Sequence, residues 1–404
     1  MRRVYLDYAA TTPIDPDVLA EIVRVYEQLF GNPSSLHTYG QEARKIVEES
    51  RKTLASILNA KPEEIIFTSG GSESDNLAIK GVAFRNRERG KHLITSAIEH
   101  AAVLDTMKYL EKSHGFELTV LPVDQYGTVS PESVEEAIRP NTILVSIMYA
   151  NNEIGTIQPI EEIGKVCQEH DVIFHTDAVQ AFCKVPIDVQ AQNIDLLSTA
   201  AHKVYGPKGV GFLFVRDIGI RKNWGLYIDP LIHGGGHEFG LRSGTENAPG
   251  IAGFAKAADL LYQDLDNESQ RQTILRDKII QWVLENIEDV SLNGHPTQRL
   301  PNNINLSIAN VEGESLLLAL DLEGIAVSTA SACSSKSAEP SHVLTALGIP
   351  AELARGSLRI TLGKYTTEEE VNYLLEKLGP IVARLRGLSP LGGETGENHS
   401  DSCE

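Results

Sequence analysis

A glycine-rich turn, Thr68-Ser69-Gly70-Gly71-Ser72-Glu73, follows a predicted strand and opens a predicted helix. Glycine lets backbone approach an anion closely, and a helix N-terminus offers unpaired N–H groups with a partial positive charge. Ser72 can add a hydroxyl. The same residues also read as a tight turn in which Ser72 is the N-cap and Asp75 follows three residues on. The turn matches neither a Walker A loop nor a dinucleotide fingerprint. Farther on, Phe174-His175-Thr176-Asp177-Ala178-Val179-Gln180 puts a carboxylate at the end of an apolar run. Open α/β sheets bind their ligands at such strand ends. Asp177 there suits a protonated ring nitrogen, and it equally suits a helix cap.

A third cluster is Ser198-Thr199-Ala200-Ala201-His202-Lys203, just before a Gly206-Pro207 turn. A lysine on a rigid strand edge can be desolvated enough to act as a Schiff-base amine, although a single lysine is more commonly a surface residue. The order matters: an anion turn, then a strand-end Asp, then a strand-end His-Lys. That order suits pyridoxal 5'-phosphate (PLP), whose protonated ring is an electron sink and needs a carboxylate partner. Cys333 lies in a small, polar stretch with Ser331, Ser334, Ser335 and Ser337. Such a stretch packs little and moves easily, so Cys333 reads as a nucleophile or, equally, as a small buried residue.

The elements that must position these groups alternate. Strands are predicted at 64–68, 91–95, 117–121, 143–148, 172–176, 195–198 and 210–215, with amphipathic stretches at 72–88, 100–113, 131–138 and 160–169 between them. This pattern predicts an α/β fold with a mostly parallel sheet, the strand at 210–215 being an antiparallel hairpin partner after a Gly-Pro turn. A helical region at about 246–288 leads to a second, smaller α/β pattern, with strands near 302–308, 325–328 and 357–361 and helices near 313–322, 340–347 and 367–386. The tail after Ser389 is Gly- and Glu-rich and reads as disordered.

The chain has 404 residues, 42% of them hydrophobic, which is ample for a buried core. Its net charge of -19, from 36 basic against 55 acidic residues, argues against direct binding to nucleic acid or to an anionic membrane. No apolar run is long enough to span a bilayer, and the N-terminus lacks the apolar core of a secretory signal. The four cysteines, at 167, 183, 333 and 403, form no CxxC pair, so they fit a reducing, cytoplasmic setting. Cys167 and Cys183 read as packing residues, and His233 with His237 as part of a glycine-rich loop rather than a metal site.

Nearly the whole chain resembles the cysteine desulfurases, in the class V branch of the fold-type I PLP enzymes. The resemblance runs from YLDYAATTP (5–13) to LSPL (388–391), through FGNPSSLH (30–37), TSGGSESDNLAIKG (68–81), EH (99–100), NNEIG (151–155), DAVQ (177–180), HKVYGPKG (202–209), HGGGHE (233–238), RSGT (242–245) and SACSS (331–335). The cysteine segment resembles the iron–sulfur-assembly and nitrogen-fixation branch, which has a longer, mobile loop there. The fold implied is a large domain with a mostly parallel seven-stranded sheet and a smaller C-terminal α/β domain. The implied divisions are an arm at 1–14 packing with the small domain, a PLP-binding domain at 15–255, a small domain at 256–388 and a tail at 389–404.

The resemblance also implies roles. Lys203 joins the cofactor, Asp177 pairs with its ring nitrogen, His100 lies over the ring, and Gln180 bonds its phenolic oxygen. Gly71, Ser72 and His202 hold the phosphate, with Thr245 reaching in from a partner subunit of a homodimer. Asn152 and Arg359 hold the carboxylate of L-cysteine, and Cys333 accepts its sulfur for an iron–sulfur scaffold or tRNA-thiolation protein. Two positions depart from the family: Ala200 stands where serine is common, and Ser72 where threonine is common. Rival readings are a selenocysteine lyase or other class V lyase or transaminase, and a non-catalytic subunit of a sulfur-transfer complex.

Overall fold

The structure is a computed structural model, and it describes residues 2–222, 225–329 and 340–388. Cys333, the polar stretch around it, Cys403 and the tail lie outside the described residues. Fourteen strands alternate with twelve α-helices among the described residues. A short arm strand, β1 (Val4–Tyr5), precedes helices α1 (Pro16–Gln28) and α2 (Thr38–Ile57). Then come β2 (Ile65–Thr68), α3 (Gly71–Asn86), β3 (His92–Ser96), α4 (Ala101–His114), β4 (Glu117–Leu121), α5 (Pro131–Ala137), β5 (Thr142–Ser146), α6 (Ile160–Glu169), β6 (Ile173–Asp177), β7 (Leu196–Ala200) and β8 (Gly211–Val215).

Seven of these strands form one sheet, in the order β2-β8-β7-β6-β5-β3-β4. Five of them, β7-β6-β5-β3-β4, pair in parallel, and β8 runs antiparallel to both β7 and β2. The central strands are buried along their whole length, as expected where helices cover both faces of a sheet. That covering explains α3, which is buried almost continuously from Leu77 to Ala83. A helix with no wet side has little amphipathic signal.

A hairpin of β9 (Ile220–Arg221) and β10 (Gly225–Leu226) leads towards helices α7 (Ala248–Tyr262) and α8 (Leu265–Asn286). Phe254 of α7 stacks on Phe212 of β8 with ring centroids 5.5 Å apart, and Phe182 meets both edge-on. Such pairs add about 0.5–1.5 kcal/mol each beyond their buried area.

A second core surrounds a three-stranded antiparallel sheet in the order β11-β12-β14, made of β11 (Val290–Leu292), β12 (Asn303–Ile308) and β14 (Ser357–Thr361). Helices α9 (Gly313–Leu322) and α12 (Glu368–Leu388) pack on it. The short helices α10 (His342–Ala346) and α11 (Ala351–Arg355) lie between α9 and β14 in the chain. Two expectations differ here. The segment near 325–328 meets this sheet only at its end, where Ser328 bridges Arg359 of β14. Its strand β13 (Ile325–Ala326) pairs in parallel with arm strand β1. The third sheet strand is β11, a three-residue edge strand only partly buried, too short to show a period.

Burial also places an ion pair that its sequence context gave no sign of. Arg51 of α2 and Glu238, both buried, meet in a two-pronged contact with both N–O distances 2.8 Å. Glu238 also accepts the N–H of Phe67, and Arg51 donates to the carbonyl of Ile65, so the pair ties α2 to β2. Breaking one partner of a buried pair strands the other charge. Glu238→Gln is expected to lower stability by about 3–5 kcal/mol. The double change Arg51→Met with Glu238→Leu should lose less than the single change, measured by denaturant unfolding.

Candidate active site

Because β2 and β7 both run antiparallel to β8, the carboxyl ends of β2, β6 and β7 share one edge of the sheet. A cavity of about 350 Å³ opens there. Its wall brings together Gly71, Ser72, His100, Asn152, Asp177, Gln180, His202, Lys203 and Arg359, which the sequence had put at separate strand and helix ends. Thr245 is exposed and is not part of this wall.

Lys203 sits in a single 3₁₀ turn, Ala201–Lys203, at the end of β7. Its Nζ donates to the carbonyls of Ala9 and Ala10, both at 2.7 Å. Gln180 Nε2 also donates to Ala9 O, at 2.9 Å, so the arm closes one side of the cavity. Thr12 pins the arm further, its N–H and hydroxyl both donating to His202 O.

Asp177 is the last residue of β6 and is buried. One carboxyl oxygen accepts the N–H of Val179 at 2.9 Å, so it both caps a turn and faces the cavity. Burial pushes this carboxyl up, while His100, the Val179 N–H and Lys203 pull it back. His100 is the N-cap of α4, its Nδ1 accepting from Ala102 N at 3.1 Å. The neutral ring therefore carries its proton on Nε2. Burial holds His202 down at about 4, helped by the charges of Lys203, Lys208 and Lys184, so this imidazole is neutral.

The turn after β2 differs from one expectation. The cap of α3 is Gly70, at φ 149°, and no side chain caps it; Ser72 lies inside the first helical turn. A Cβ on Gly71 would stand 2.7 Å from Val179 Cγ2, so only glycine lets α3 pack this closely on the Asp177 turn. Arg359 lies on β14, with Nη2 bonded to Asp7 Oδ1 at 2.9 Å and Nη1 to Asn152 O at 3.1 Å. Its buried Nε has no hydrogen-bond partner among the described residues.

Several polar groups that the motifs did not single out surround the cavity. Asp75 of α3 lines the cavity beside Asp177. His175, pushed down to about 3 by burial, bridges the hydroxyls of Ser146 (2.8 Å) and Ser198 (3.0 Å). Glu153, pushed up to about 7 by burial, accepts from Ser341. Glu99 accepts from the Ser96 hydroxyl and the Met148 N–H. In the sequence these groups fall inside the quoted motifs, at 68–81, 99–100, 151–155 and 174–180, but without a role of their own in the site.

The Aminotransferase class-V sequence profile matches residues 4–374. A protein named cysteine desulfurase IscS from Dictyoglomus turgidum is 55% identical over 389 residues, spanning 96% of this chain and 97% of its own length. The chain belongs to the class-V aminotransferase family, among its cysteine desulfurases. The cysteine desulfurase IscS of Methanosarcina thermophila is 52% identical, spanning 96% of this chain and 94% of its own. A solved NifS-like protein overlays with a TM-score of 0.88 at 40% identity, covering 95% of this chain and all of the other. A structure described as SspA in complex with cysteine reaches 0.79 at 43% identity, covering 90% of this chain and all of the other.

Class-V aminotransferases and cysteine desulfurases use PLP, and the cavity suits it. Its volume falls in the usual range for a cofactor site. A buried carboxyl, a lysine amine and the glycine-led start of α3 face one space, matching a ring nitrogen, an aldehyde and a phosphate in turn.

Glu99 gives a pH prediction that is independent of activity. Burial pushes its carboxyl from the ordinary 4.5 up to about 8. Between those values the folded chain holds a proton that the unfolded chain has released, so stability falls as pH rises. The slope can reach about 1.4 kcal/mol per pH unit. Glu99→Gln should flatten this fall, measured as the unfolding midpoint of cofactor-free protein from about pH 6 to 8.

Proposed function

We propose that this protein is a cytoplasmic, homodimeric cysteine desulfurase. In this reading it converts L-cysteine to L-alanine and holds the sulfur as a persulfide on Cys333. The sulfur then passes to a protein acceptor serving iron–sulfur cluster assembly or tRNA thiolation. The single observation that carries the reading is one cavity holding Lys203, Asp177, His100 and Arg359 at a sheet edge. PLP, when bound, supplies the electron sink for charge developing at the substrate Cα.

The chain's own residues do the rest. Arg359, with its unpartnered Nε, takes the substrate carboxylate together with Asn152. A carboxylate arriving there competes with Asp7 for the same guanidinium. The Lys203 amine takes the Cα proton, and Asp177 keeps the ring nitrogen protonated. A Cys333 thiolate attacks the substrate sulfur; an S–S bond forms as Cβ–S breaks and its electron pair goes to Cβ, which takes up the proton given up by the substrate thiol, and the proton held by Lys203 returns to Cα as alanine leaves. Exposed Thr245 is available to the cavity of a second copy. The division into arm, large domain and small domain belongs to the same reading.

The test is direct: purified protein should be yellow with bound PLP and form alanine from L-cysteine. A colourless protein that forms no alanine with PLP added would contradict the reading. Ala200 adds a finer test. It lines the cavity where the resemblance expects a serine hydroxyl on the phosphate. One hydrogen bond contributes about 0.5–1.5 kcal/mol, so Ala200→Ser should tighten PLP binding by roughly 2- to 10-fold in a fluorescence titration of the cofactor-free protein.

A further inference from the structure

Asp75 has no assigned role, yet it lines the cavity next to Asp177. It sits on the first turns of α3, is buried, and its Oδ1 has no hydrogen-bond partner among the described residues. The same oxygen lies 3.7 Å from Nε2 of His175, and that nitrogen is hydrogen-bonded to the Ser198 hydroxyl at 3.0 Å. Ser198 is the residue paired across the sheet with Asp177. So His175 and Asp177 on β6, Ser198 on β7 and Asp75 on α3 make one polar knot in an otherwise apolar layer.

We propose that Asp75 is a positioning residue of the cofactor site, a neutral carboxylic acid that hydrogen-bonds towards Asp177 and keeps Asp177 the single carboxylate anion of the cavity wall. This rests on the proposed PLP site. Two ionised carboxylates in one dry wall repel each other, so one must hold its proton. Burial first, and then the Asp177 charge, push Asp75 well above the ordinary carboxylate range. Asp177 instead has His100, the Val179 N–H and Lys203 in its favour. His175 is uncharged and supplies no counter-ion for Asp75. The groups facing the pair are thus Glu99, His100, His175 and Lys203; His100 and Lys203 favour the charge on Asp177, and His175 and protonated Glu99 offer Asp75 no counter-ion. A neutral acid has one donor, while an ionised carboxylate has none. Pairs of acids whose surroundings drive their proton affinities apart recur in active sites.

The test uses Asp75→Asn, a neutral polar isostere, and Asp75→Leu, an apolar one. The readouts are PLP affinity, the pH midpoint of the visible band of the PLP–lysine link, and unfolding of the cofactor-free protein. Asn should keep the pH midpoint within about 0.3 unit and the PLP affinity within about threefold. Leu should shift the midpoint by at least about half a unit and weaken PLP about tenfold, with cofactor-free stability unchanged or raised. Should Asp75→Leu not fold, Asp75→Ala replaces it, and a shift in the same band is expected. The proposal is overturned if Asn shifts the midpoint as far as Leu, since Asp75 would then carry a charge. It is equally overturned if Leu, or Asp75→Ala in its place, leaves both band and affinity unchanged. A wild-type protein that takes up no PLP would instead overturn the site on which the proposal rests.

Discussion

Lys203→Ala should bleach the protein and cut alanine formation from L-cysteine by at least roughly 10²–10⁴-fold, the range for losing a positioned proton-transfer group. In the structure this amine is held against the Ala9 and Ala10 carbonyls at the cavity wall. No other lysine lines that wall among the described residues. Lys184 is nearby, but its amine is drawn away to Gln180 O at 2.9 Å. The variant should still fold, because the arm it releases at the Ala9 and Ala10 carbonyls stays tied by Thr12 to His202 O. PLP should bind only non-covalently, held through the phosphate and Asp177. Absorbance and an alanine assay, with far-ultraviolet circular dichroism as the folding control, check all three statements. Full colour and undiminished turnover in the variant would mean another amine does the work.

Cys333→Ala is the second large effect, and it separates the rival chemistries. Alanine production from L-cysteine should fall to background, and no sulfane sulfur should remain on the protein. The visible band should stay, because Lys203 and Asp177 are untouched. A selenocysteine lyase or a transaminase on this fold would keep turnover on its own substrate without that thiol. A non-catalytic subunit would show no band in either form. Persulfide labelling followed by mass spectrometry reads the sulfur directly.

What the sequence disclosed and what it withheld divide along a physical line. The seven strands of the large sheet were legible because each is a short apolar run bounded by turn residues, as at Ile173–Asp177 and Gly211–Val215. The antiparallel place of β8 was legible from the Gly-Pro turn before it. Pairings between distant segments were not. Nothing local shows that Ile325–Ala326 would pair with Val4–Tyr5 rather than with β12. Nor does anything local show that Glu238, inside a histidine- and glycine-rich loop, would neutralise Arg51 from a helix far upstream.

Gly71, Ser72, Asp177, His202 and Lys203 were legible as strand ends and a helix start, His100, Asn152, Gln180 and Arg359 only through the family resemblance, and the fold brings all nine to one wall. The Ser72 cap failed because Gly70, in a conformation few other residues adopt, ends the turn two residues earlier. Asp75 and Glu99 were given no role in the site because a lone acid near a helix start usually faces water or caps the turn. Only the three-dimensional packing shows that these two do not.

The central claim is a covalent bond between the Lys203 amine and the cofactor. Borohydride reduction of the purified protein, then proteolysis and mass spectrometry, tests it most directly. The account predicts one pyridoxyl-phosphate adduct, on the peptide containing Lys203. An adduct on a different lysine, or none on a protein that still converts cysteine to alanine, would contradict it.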